Sequence, residues 1–263
     1  MIRPGRSKNL QAVPYYLDIR RALGEPGCAF CRLVAQSADR YLDTVLWEMV
    51  TDPDARSEIN RARGYCRQHG WLLVRVGAAL GVAIISHGVL DTLLKEIGSF
   101  PGENGPEGAS KSWLRGLERG RPGKSTEKLV SDLAPQTPCP VCVQQETLEK
   151  QLAETLLAHL DEPGALAKVY RESDGLCLEH FRLTLTFARK ASTARTLVAA
   201  QRSIWERLHA ELAEFIRKKD FRFKDELFGS EKDAWRRALE AISGPPPRTG
   251  SEWDSLMQSR RRE

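Results

Sequence analysis

One pattern of cysteines and histidines is written twice along this chain of 263 residues. Each copy consists of a CxxC motif, 34 further residues and a CxxH motif, and every member of the second copy follows its counterpart by 111 residues. The first set is Cys28, Cys31, Cys66 and His69, and the second set is Cys139, Cys142, Cys177 and His180. Because four such side chains together hold one metal ion, the chain has to fold so that distant turns meet.

Thiolate and imidazole groups in this number predict two tetrahedral Cys3His sites and two zinc ions per chain. An iron–sulfur cluster is the alternative, since CxxC motifs also hold such clusters. We expect each site to form within one repeat, from the first set alone or the second set alone, because that pairing closes the shorter loops. A Cys3His site keeps no open coordination position, so its expected role is structural.

The neighbours of the ligands predict a difference between the two sites. Arg32, Arg63 and Arg67 lie beside ligands of the first set, where their charge offsets that of the thiolates. Glu179 instead lies within the CxxH motif of the second set. We therefore expect the second site to bind its metal less tightly.

Helical periodicity follows both CxxC motifs. Apolar residues recur every three or four positions from Val34 and again from Leu148. A short helix and then a long helix follow in each repeat, the long ones over residues 70–97 and 181–217, and no stretch shows the alternation of a strand. The sequence therefore predicts an all-α protein with two similar helical repeats, each closed by a Cys3His zinc knuckle and related by a pseudo-two-fold axis.

Segments rich in glycine and proline divide the chain. The stretch that begins at Gly98 has the composition of a linker, and the tail that begins at Pro245 is rich in proline and arginine. The sequence therefore predicts a first zinc-helical repeat, a linker, a second repeat with a C-terminal coda, and a disordered basic tail. These segments are residues 1–97, 98–135, 136–244 and 245–263.

Residues 71–90 form an apolar stretch in which Arg75 is the one charged residue. The stretch has the length of a membrane span, but its counterpart in the second repeat carries four basic residues, so no membrane span is expected. We expect a central helix over residues 70–97 that is more buried than its counterpart and whose Gly77 and Gly81 let another helix approach closely. Homo-oligomerisation through this helix is the other interpretation.

Basic and aromatic residues alternate in the coda. Such residues together are typical of surfaces that bind phosphates and stack on bases, and the net charge of +5 favours an acidic partner. The candidate contacts to nucleic acid or the ribosome are Arg217, Lys218, Lys219, Arg222 and Lys224. The alternative interpretation is a solvated, charged helix face.

The sequence does not favour an enzyme, because it contains no P-loop, HExxH or GxSxG motif. We predict a non-catalytic, zinc-stabilised helical scaffold or adaptor whose partner is a protein. The alternatives are a protein that binds nucleic acid or the ribosome, and a zinc protein regulated by thiol oxidation. The start of the chain shows no secretory signal, and paired thiols suit a reducing compartment, so a cytoplasmic location is expected.

Taken together, the four ligand motifs and the coda resemble a bacterial family of unknown function. The motifs are Cys28-Ala29-Phe30-Cys31, Gly64-Tyr65-Cys66-Arg67-Gln68-His69, Cys139-Pro140-Val141-Cys142 and Leu176-Cys177-Leu178-Glu179-His180, and the ending runs from Phe221 to Arg237. The resemblance covers roughly residues 15–244. It implies a helical, zinc-bound protein and supplies no activity.

Overall fold

A computed structural model describes residues 14–100, 124–160, 164–223 and 225–248. Within these ranges all regular structure is helical, without strands, which confirms the predicted all-α class. The α-helices in chain order are α1 (Tyr16–Leu23), α2 (Ala29–Trp47), α3 (Pro53–Arg61), α4 (Arg67–Gly70), α5 (Ala79–Gly98), α6 (Lys124–Leu133), α7 (Pro140–Leu160), α8 (Ala165–Glu172), α9 (Leu178–Thr186), α10 (Ala191–Lys218) and α11 (Ala234–Ser243).

The order of helices α1–α5 recurs in α6–α10. Each helix of the second series begins between 108 and 112 residues after its counterpart. The duplication therefore extends from the ligand motifs to the whole helical framework, while the pseudo-two-fold axis stays a prediction. α11 follows the second series and has no counterpart among the described residues after α5. Helix α6 lies within the range 98–135 that the sequence assigns to a linker.

The compact units of the fold do not follow the two repeats. Among the described residues, one unit, here called unit 1, combines those up to residue 37 with those of 145–247, and unit 2 combines those of 38–144 with residue 248. Helices α2 and α7 each contribute residues to both units. The segments 1–97 and 136–244 are therefore repeats of the sequence, and each compact unit takes parts from both.

Each unit has its own apolar core with residues from both repeats. The core of unit 1 includes Ile19, Phe30, Leu152, Leu156, Tyr170 and Leu197, all of them fully buried. The core of unit 2 includes Leu42, Val45, Ile59, Leu72, Ile85 and Val141. Burial of this apolar surface is the main force that brings segments of different repeats together.

The long helices predicted over residues 70–97 and 181–217 are both interrupted. In the first, a 3-10 turn at Trp71–Leu73 and Gly77, with a φ of +78°, separate α4 from α5. Arg75 stabilises this break, because its Nε donates to the Leu72 carbonyl at 2.7 Å and its Nη2 lies 3.0 Å from the Asp39 carboxylate. In the second, the chain leaves the helical conformation between α9 and α10.

The predicted greater burial of the first long helix does not appear as a clear difference, since residues 70–97 and 181–217 each include six buried residues. Helix α5 buries Gly81, Ile85 and Gly88, whereas Leu80 and Leu94 are 73% and 65% exposed. Helix α10 buries a longer face that includes Leu197, Ala200 and Ile204. The close approach at a glycine does occur, since a Cβ on Gly81 would lie 3.1 Å from Leu46 Cδ2. None of the helices in the described ranges has the length and apolar character needed to cross a bilayer.

Candidate metal centres

The four potential ligands in unit 1 are Cys28, Cys31, Cys177 and His180, and their ligand atoms lie within 4.8 Å of one another. The Nδ1 atom of His180 faces all three sulfurs, at 3.2 Å from Cys31 and Cys177 and 3.6 Å from Cys28. The sulfurs of Cys31 and Cys177 are 3.7 Å apart. We call this cluster site 1.

The cluster in unit 2 has the same composition and consists of Cys66, His69, Cys139 and Cys142. The Nδ1 atom of His69 lies 3.2 Å from Cys66, 3.4 Å from Cys142 and 3.7 Å from Cys139. The sulfurs of Cys66 and Cys142 are 3.8 Å apart. We call this cluster site 2.

Both clusters have the dimensions of a tetrahedral zinc site. Zn–S bonds of about 2.3 Å and Zn–N bonds of about 2.0 Å give tetrahedral edges of about 3.8 Å between sulfurs and about 3.5 Å between sulfur and nitrogen. The observed S–S and S–N separations lie within a few tenths of an ångström of these values. All six cysteines are free thiols, so each can serve as a ligand. The two Cys3His clusters predicted from the sequence are therefore both formed.

The predicted pairing of the ligands is wrong. Each site combines the CxxC motif of one repeat with the CxxH motif of the other, instead of both motifs of the same repeat. Helix α2 has 19 residues and carries the chain about 28 Å away from its CxxC, whereas the nine-residue α3 returns it by only about 14 Å. The CxxH of the same repeat is therefore out of reach, and the mismatch in predicted helix length was a signal available in the sequence.

The entropy of loop closure does not oppose this pairing strongly. Cys31 and Cys177 are 146 residues apart, roughly four times the separation of Cys31 and Cys66. Since each doubling of loop length costs about 0.6 kcal/mol, the longer loop costs about 1 kcal/mol more. Burial of the two apolar cores outweighs a difference of this size.

Matching backbone geometry presents the CxxH motif in both sites. Cys66 and Cys177 occupy the N-cap positions of α4 and α9, with φ/ψ of −62°/167° and −66°/164°. Gly64 and Gly175, two residues earlier, have φ values of +90° and +71°. Glycine adopts this left-handed conformation without the steric cost that a Cβ brings. The turn then aims the cysteine and the histidine of the following helical turn at the same point.

Gln201 on α10 supports the CxxH turn of site 1. Its side chain is fully buried, accepts from the Leu176 amide at 3.1 Å and donates to the Leu176 carbonyl at 3.1 Å. The Tyr170 hydroxyl donates to the Oε1 atom of the Gln201 side chain. The counterpart of Gln201 in the first repeat is Val89, whose methyl groups lie 3.8–3.9 Å from the place of a Cβ on Gly64. The sequence analysis did not find Gln201, because a lone glutamine in an amphipathic helix carries no recognisable pattern.

A carboxylate lies behind the imidazole of site 1. Glu149 Oε1 is 3.4 Å from Nε2 of His180, on the side of the ring away from the thiols. Burial lowers the pKa of His180, but the thiols and Glu149 outweigh this effect and raise the pKa to about 12. The position that corresponds to Glu149 in the first repeat is Ala38, which offers no carboxylate to site 2. A carboxylate in this place orients a metal-bound histidine and makes it a stronger ligand.

The close approach of the thiols perturbs their titration. Hydrogen bonds from Cys28 and Cys31 lower the pKa of Cys177 strongly, whereas the bonds with Cys177 and Cys28 raise that of Cys31. In site 2, burial raises the pKa of Cys142 to about 12. A divalent cation that replaces the shared protons stabilises all three thiolates at once, so each cluster is suited to a metal ion.

The expected difference in metal affinity was based on the charged neighbours of ligands that were paired within each repeat. Arg32 lies beside site 1 and pairs with Glu25 at 2.9 Å, whereas Arg63 belongs to unit 2 and pairs with Glu96 at 3.2 Å. Glu179 and Glu149 both belong to the chain around site 1. The ranking of the two sites by sequence neighbours therefore loses its basis.

Most of the basic side chains proposed to contact nucleic acid are paired with acids. Arg217 binds Glu214 and Glu226, and Lys218 lies 2.7 Å from the buried Glu231. The remaining described pairs are Arg222 with Asp220, and Lys219 over the rings of Phe215 and Phe228. Lys224 lies outside the described residues. The structure therefore gives these cations a role in holding the coda against the end of α10.

A crevice with a volume of about 200 Å³ reaches site 1 from the side of α11. Cys28 and Cys177 form part of its wall, together with charged side chains of α10 and α11 such as Arg207 and Arg237. Cys28 is partly exposed, whereas Cys177 is buried. Small solutes can therefore approach one edge of site 1.

A family model described as "Family of unknown function (DUF6062)" matches residues 16–249. This match confirms the resemblance seen in the ligand motifs and the coda. No match was found among the curated proteins or the solved structures.

Proposed function

Because the chain belongs to DUF6062, a family of unknown function, its role has to be inferred from its own sites, and we propose that it is a non-catalytic, zinc-stabilised helical adaptor. The observation that carries this proposal is the geometry of the two four-ligand clusters. Three thiolates and one imidazole complete a tetrahedron around Zn²⁺ and leave no position for a substrate. Closed sites of this kind stabilise folds.

The connections that the sites make support a structural role. Each metal ion would join the start of a CxxC helix from one repeat to the start of a CxxH helix from the other, within a single compact unit. Structural zinc contributes on the order of 10 kcal/mol of apparent binding free energy, available only once the ligands are assembled. The thiols have to stay reduced for this purpose, so a cytoplasmic location is part of the proposal.

The adaptor role is supported by apolar side chains that the described helices leave exposed. Leu90 and Leu94 on α5 and Trp235 and Leu239 on α11 are each more than half exposed. Exposed apolar surface in groups is typical of sites that bind other proteins. The paired cations of the coda make nucleic acid or the ribosome a weaker proposal than a protein partner.

Metal analysis of protein purified without oxygen tests the identity of the metal. We expect two zinc ions per chain and no inorganic sulfide. A brown protein with iron and sulfide in equal amounts would overturn the zinc assignment in favour of iron–sulfur clusters.

Cobalt substitution tests whether the sites are closed. Co²⁺ in a tetrahedral site with three thiolates gives strong thiolate charge-transfer and d–d absorption bands. We expect both sites to show these bands and the bands to stay unchanged when cyanide or azide is added. A shift of the bands on addition of either anion would reveal an open position and would favour a catalytic site over a structural one.

Regulation by thiol oxidation is a second proposal, favoured by the crevice that reaches Cys28. Oxidation of a zinc-bound thiolate weakens metal binding and thereby loosens the fold. Mild peroxide is then expected to release zinc from site 1 before site 2. Release of both ions at the same rate would argue against a role for the crevice.

A further inference from the structure

A pocket with a volume of about 440 Å³ lies between α3 and α5 in unit 2, and we call it the α3–α5 pocket. No ligand of site 2 is among the residues that line it. Residues three or four positions apart lie on the same face of a helix, so the side chains of α3 form one polar stripe along the pocket. The polar residues of the two helices in its wall are Arg56, Ser57, Asn60 and Arg61 on α3 and Thr92 and Glu96 on α5.

Two arginines of the pocket lack an acidic partner. The side chains of Arg56 and Arg61 make no hydrogen bond or ion pair with any residue that the structure describes. Arg56 is half-buried, and a Cβ on Gly88 would lie 3.4 Å from its Nη2 atom, so the guanidinium lies in the groove beside the backbone of α5. Burial of an unpaired charge costs free energy, and arginine does not lose its charge. An anion in the pocket would remove this cost.

The third arginine of the pocket is already neutralised. The side chain of Arg63 is 6% exposed, lies 3.2 Å from the Glu96 carboxylate and donates to the Asp132 carbonyl. Three arginines and one glutamate line the pocket, so its net charge is +2. Because Arg63 and Glu96 satisfy each other, this charge resides on Arg56 and Arg61.

Neutral hydrogen-bonding groups accompany the two unpaired arginines. The side chains of Ser57 and Asn60 also have no hydrogen-bond partner within the described ranges. The Thr92 hydroxyl is already used, since it donates to the Gly88 carbonyl at 2.9 Å. Hydroxyl and amide groups donate to phosphate oxygens, as guanidinium groups do. The pocket therefore brings two charged and two neutral donors together without giving them acceptors of its own.

We propose that the α3–α5 pocket binds a small phosphate monoester. Such a group carries a charge of about −1.5 to −2 at neutral pH and three strong acceptor oxygens, which suits two unpaired guanidinium groups and their neutral neighbours. The volume of the pocket lies in the range of small-molecule sites, so the organic part of the ester fits beside the phosphate. This inference does not depend on the proposed role of the metal sites.

The acids beside the pocket favour a small ligand over a nucleic acid strand. Asp54 and Glu58 are exposed on α3, and Asp52 caps the start of the same helix. A strand carries a phosphate at every nucleotide, and the neighbouring phosphates would meet these carboxylates. A ligand with a single phosphate group avoids this repulsion.

Isothermal titration calorimetry on the full-length, metal-loaded protein tests the proposal. Phenyl phosphate is expected to bind once per chain, with a dissociation constant on the order of 0.1 mM. Inorganic phosphate should bind more weakly because it lacks the organic part, and benzoate should bind at least about 10-fold more weakly because it carries a single charge.

Three results of this titration would overturn the proposal. Phenyl phosphate that does not bind, or that binds no better than benzoate, would show that the pocket does not recognise a phosphate ester. Inorganic phosphate that binds as tightly as phenyl phosphate would indicate a site for the free ion. A short oligouridine that binds more tightly than phenyl phosphate would indicate a nucleic acid strand.

Substitution of the two arginines assigns the binding to the pocket. Arg56→Gln and Arg61→Gln each remove a charged donor and should weaken the binding of phenyl phosphate by about 10- to 100-fold. Arg195→Gln, at an exposed position of α10 in unit 1, is the matched control and should bind like the parent. Unchanged affinity in both pocket variants would place the ligand elsewhere and contradict the proposal.

Glu96→Gln gives a test that a folding defect cannot imitate. This change removes the acid that lines the pocket and frees Arg63, so phenyl phosphate should bind several-fold more tightly than to the parent. Zinc content and circular dichroism equal to those of the parent show that the variant is folded. Unchanged or weaker binding by the folded variant would count against a phosphate site between α3 and α5.

Discussion

Two cysteines of this protein are both helix N-cap residues and members of a Cys3His cluster. Cys66 and Cys177 occupy helix N-cap positions, and the histidines three residues later lie in the first turn of the same helix. One helical turn then places the imidazole beside the sulfur, at 3.2 Å in both sites. The CxxH spacing is therefore a direct consequence of helix geometry.

Substitution of Glu149 tests whether the carboxylate behind His180 strengthens site 1. Glu149→Gln keeps the size of the side chain and removes its charge, so the metal affinity of site 1 should fall by about 10- to 100-fold while that of site 2 stays unchanged. Competition with a coloured chelator measures both affinities. Glu146→Gln, on the exposed side of the same helix, is the control. Equal affinities in the parent and Glu149→Gln would show that the carboxylate has no such effect.

The turn that precedes the CxxH helix of site 1 has a conformation that depends on particular residues. The CxxH turn of site 1 depends on Gly175 with its positive φ and on Gln201, whose amide binds both polar atoms of the Leu176 backbone. A Cβ at position 175 would lie 2.8 Å from the amide atoms of Gln201. This turn therefore positions Cys177 through backbone conformation and a buried side chain together.

Gly175→Ala is accordingly expected to destabilise the protein. The left-handed conformation alone costs a residue with a Cβ roughly 1–2 kcal/mol, and displacement of Gln201 adds to this cost. Gly98→Ala is the control, since Gly98 ends α5 with no atom within 4 Å of its added Cβ, and it should leave stability unchanged or raise it by up to about 1 kcal/mol. Thermal unfolding of the metal-loaded proteins measures both effects. A Gly175→Ala protein as stable as the parent would show that the turn tolerates a side chain.

The helices that follow the CxxC motifs are predictable from the sequence, whereas the contacts of single polar side chains across the fold are not. Periodicity from Val34 and from Leu148 identifies α2 and α7, because an amphipathic helix leaves its pattern in the sequence. The break after Leu73 escaped prediction, since it depends on Arg75 meeting acids that are more than 30 residues away. Gln201 and Glu149 escaped for the same reason. Interactions of single polar residues across the fold have no periodic signal.

At the level of the whole molecule, the two repeats exchange their CxxC and CxxH motifs. The ligand residues were identified from spacing alone, because two identical patterns with all six cysteines admit few other interpretations. Their pairing was predicted wrongly, because loop length was given more weight than helix length. A closure cost of about 1 kcal/mol decides little against two cores that draw on both repeats. The exchanged pairing makes each compact unit depend on both repeats.

Zinc retention by two double variants tests this exchange most directly. Cys28→Ala with Cys177→Ala removes two ligands from site 1 and none from site 2, so the protein should keep one tightly bound zinc ion in the presence of a chelator. Cys28→Ala with Cys66→Ala removes one ligand from each site, so both ions should be lost to the same chelator. Pairing within the repeats predicts the reverse result. One retained ion in the Cys28/Cys66 variant and none in the Cys28/Cys177 variant would therefore contradict the structure described above.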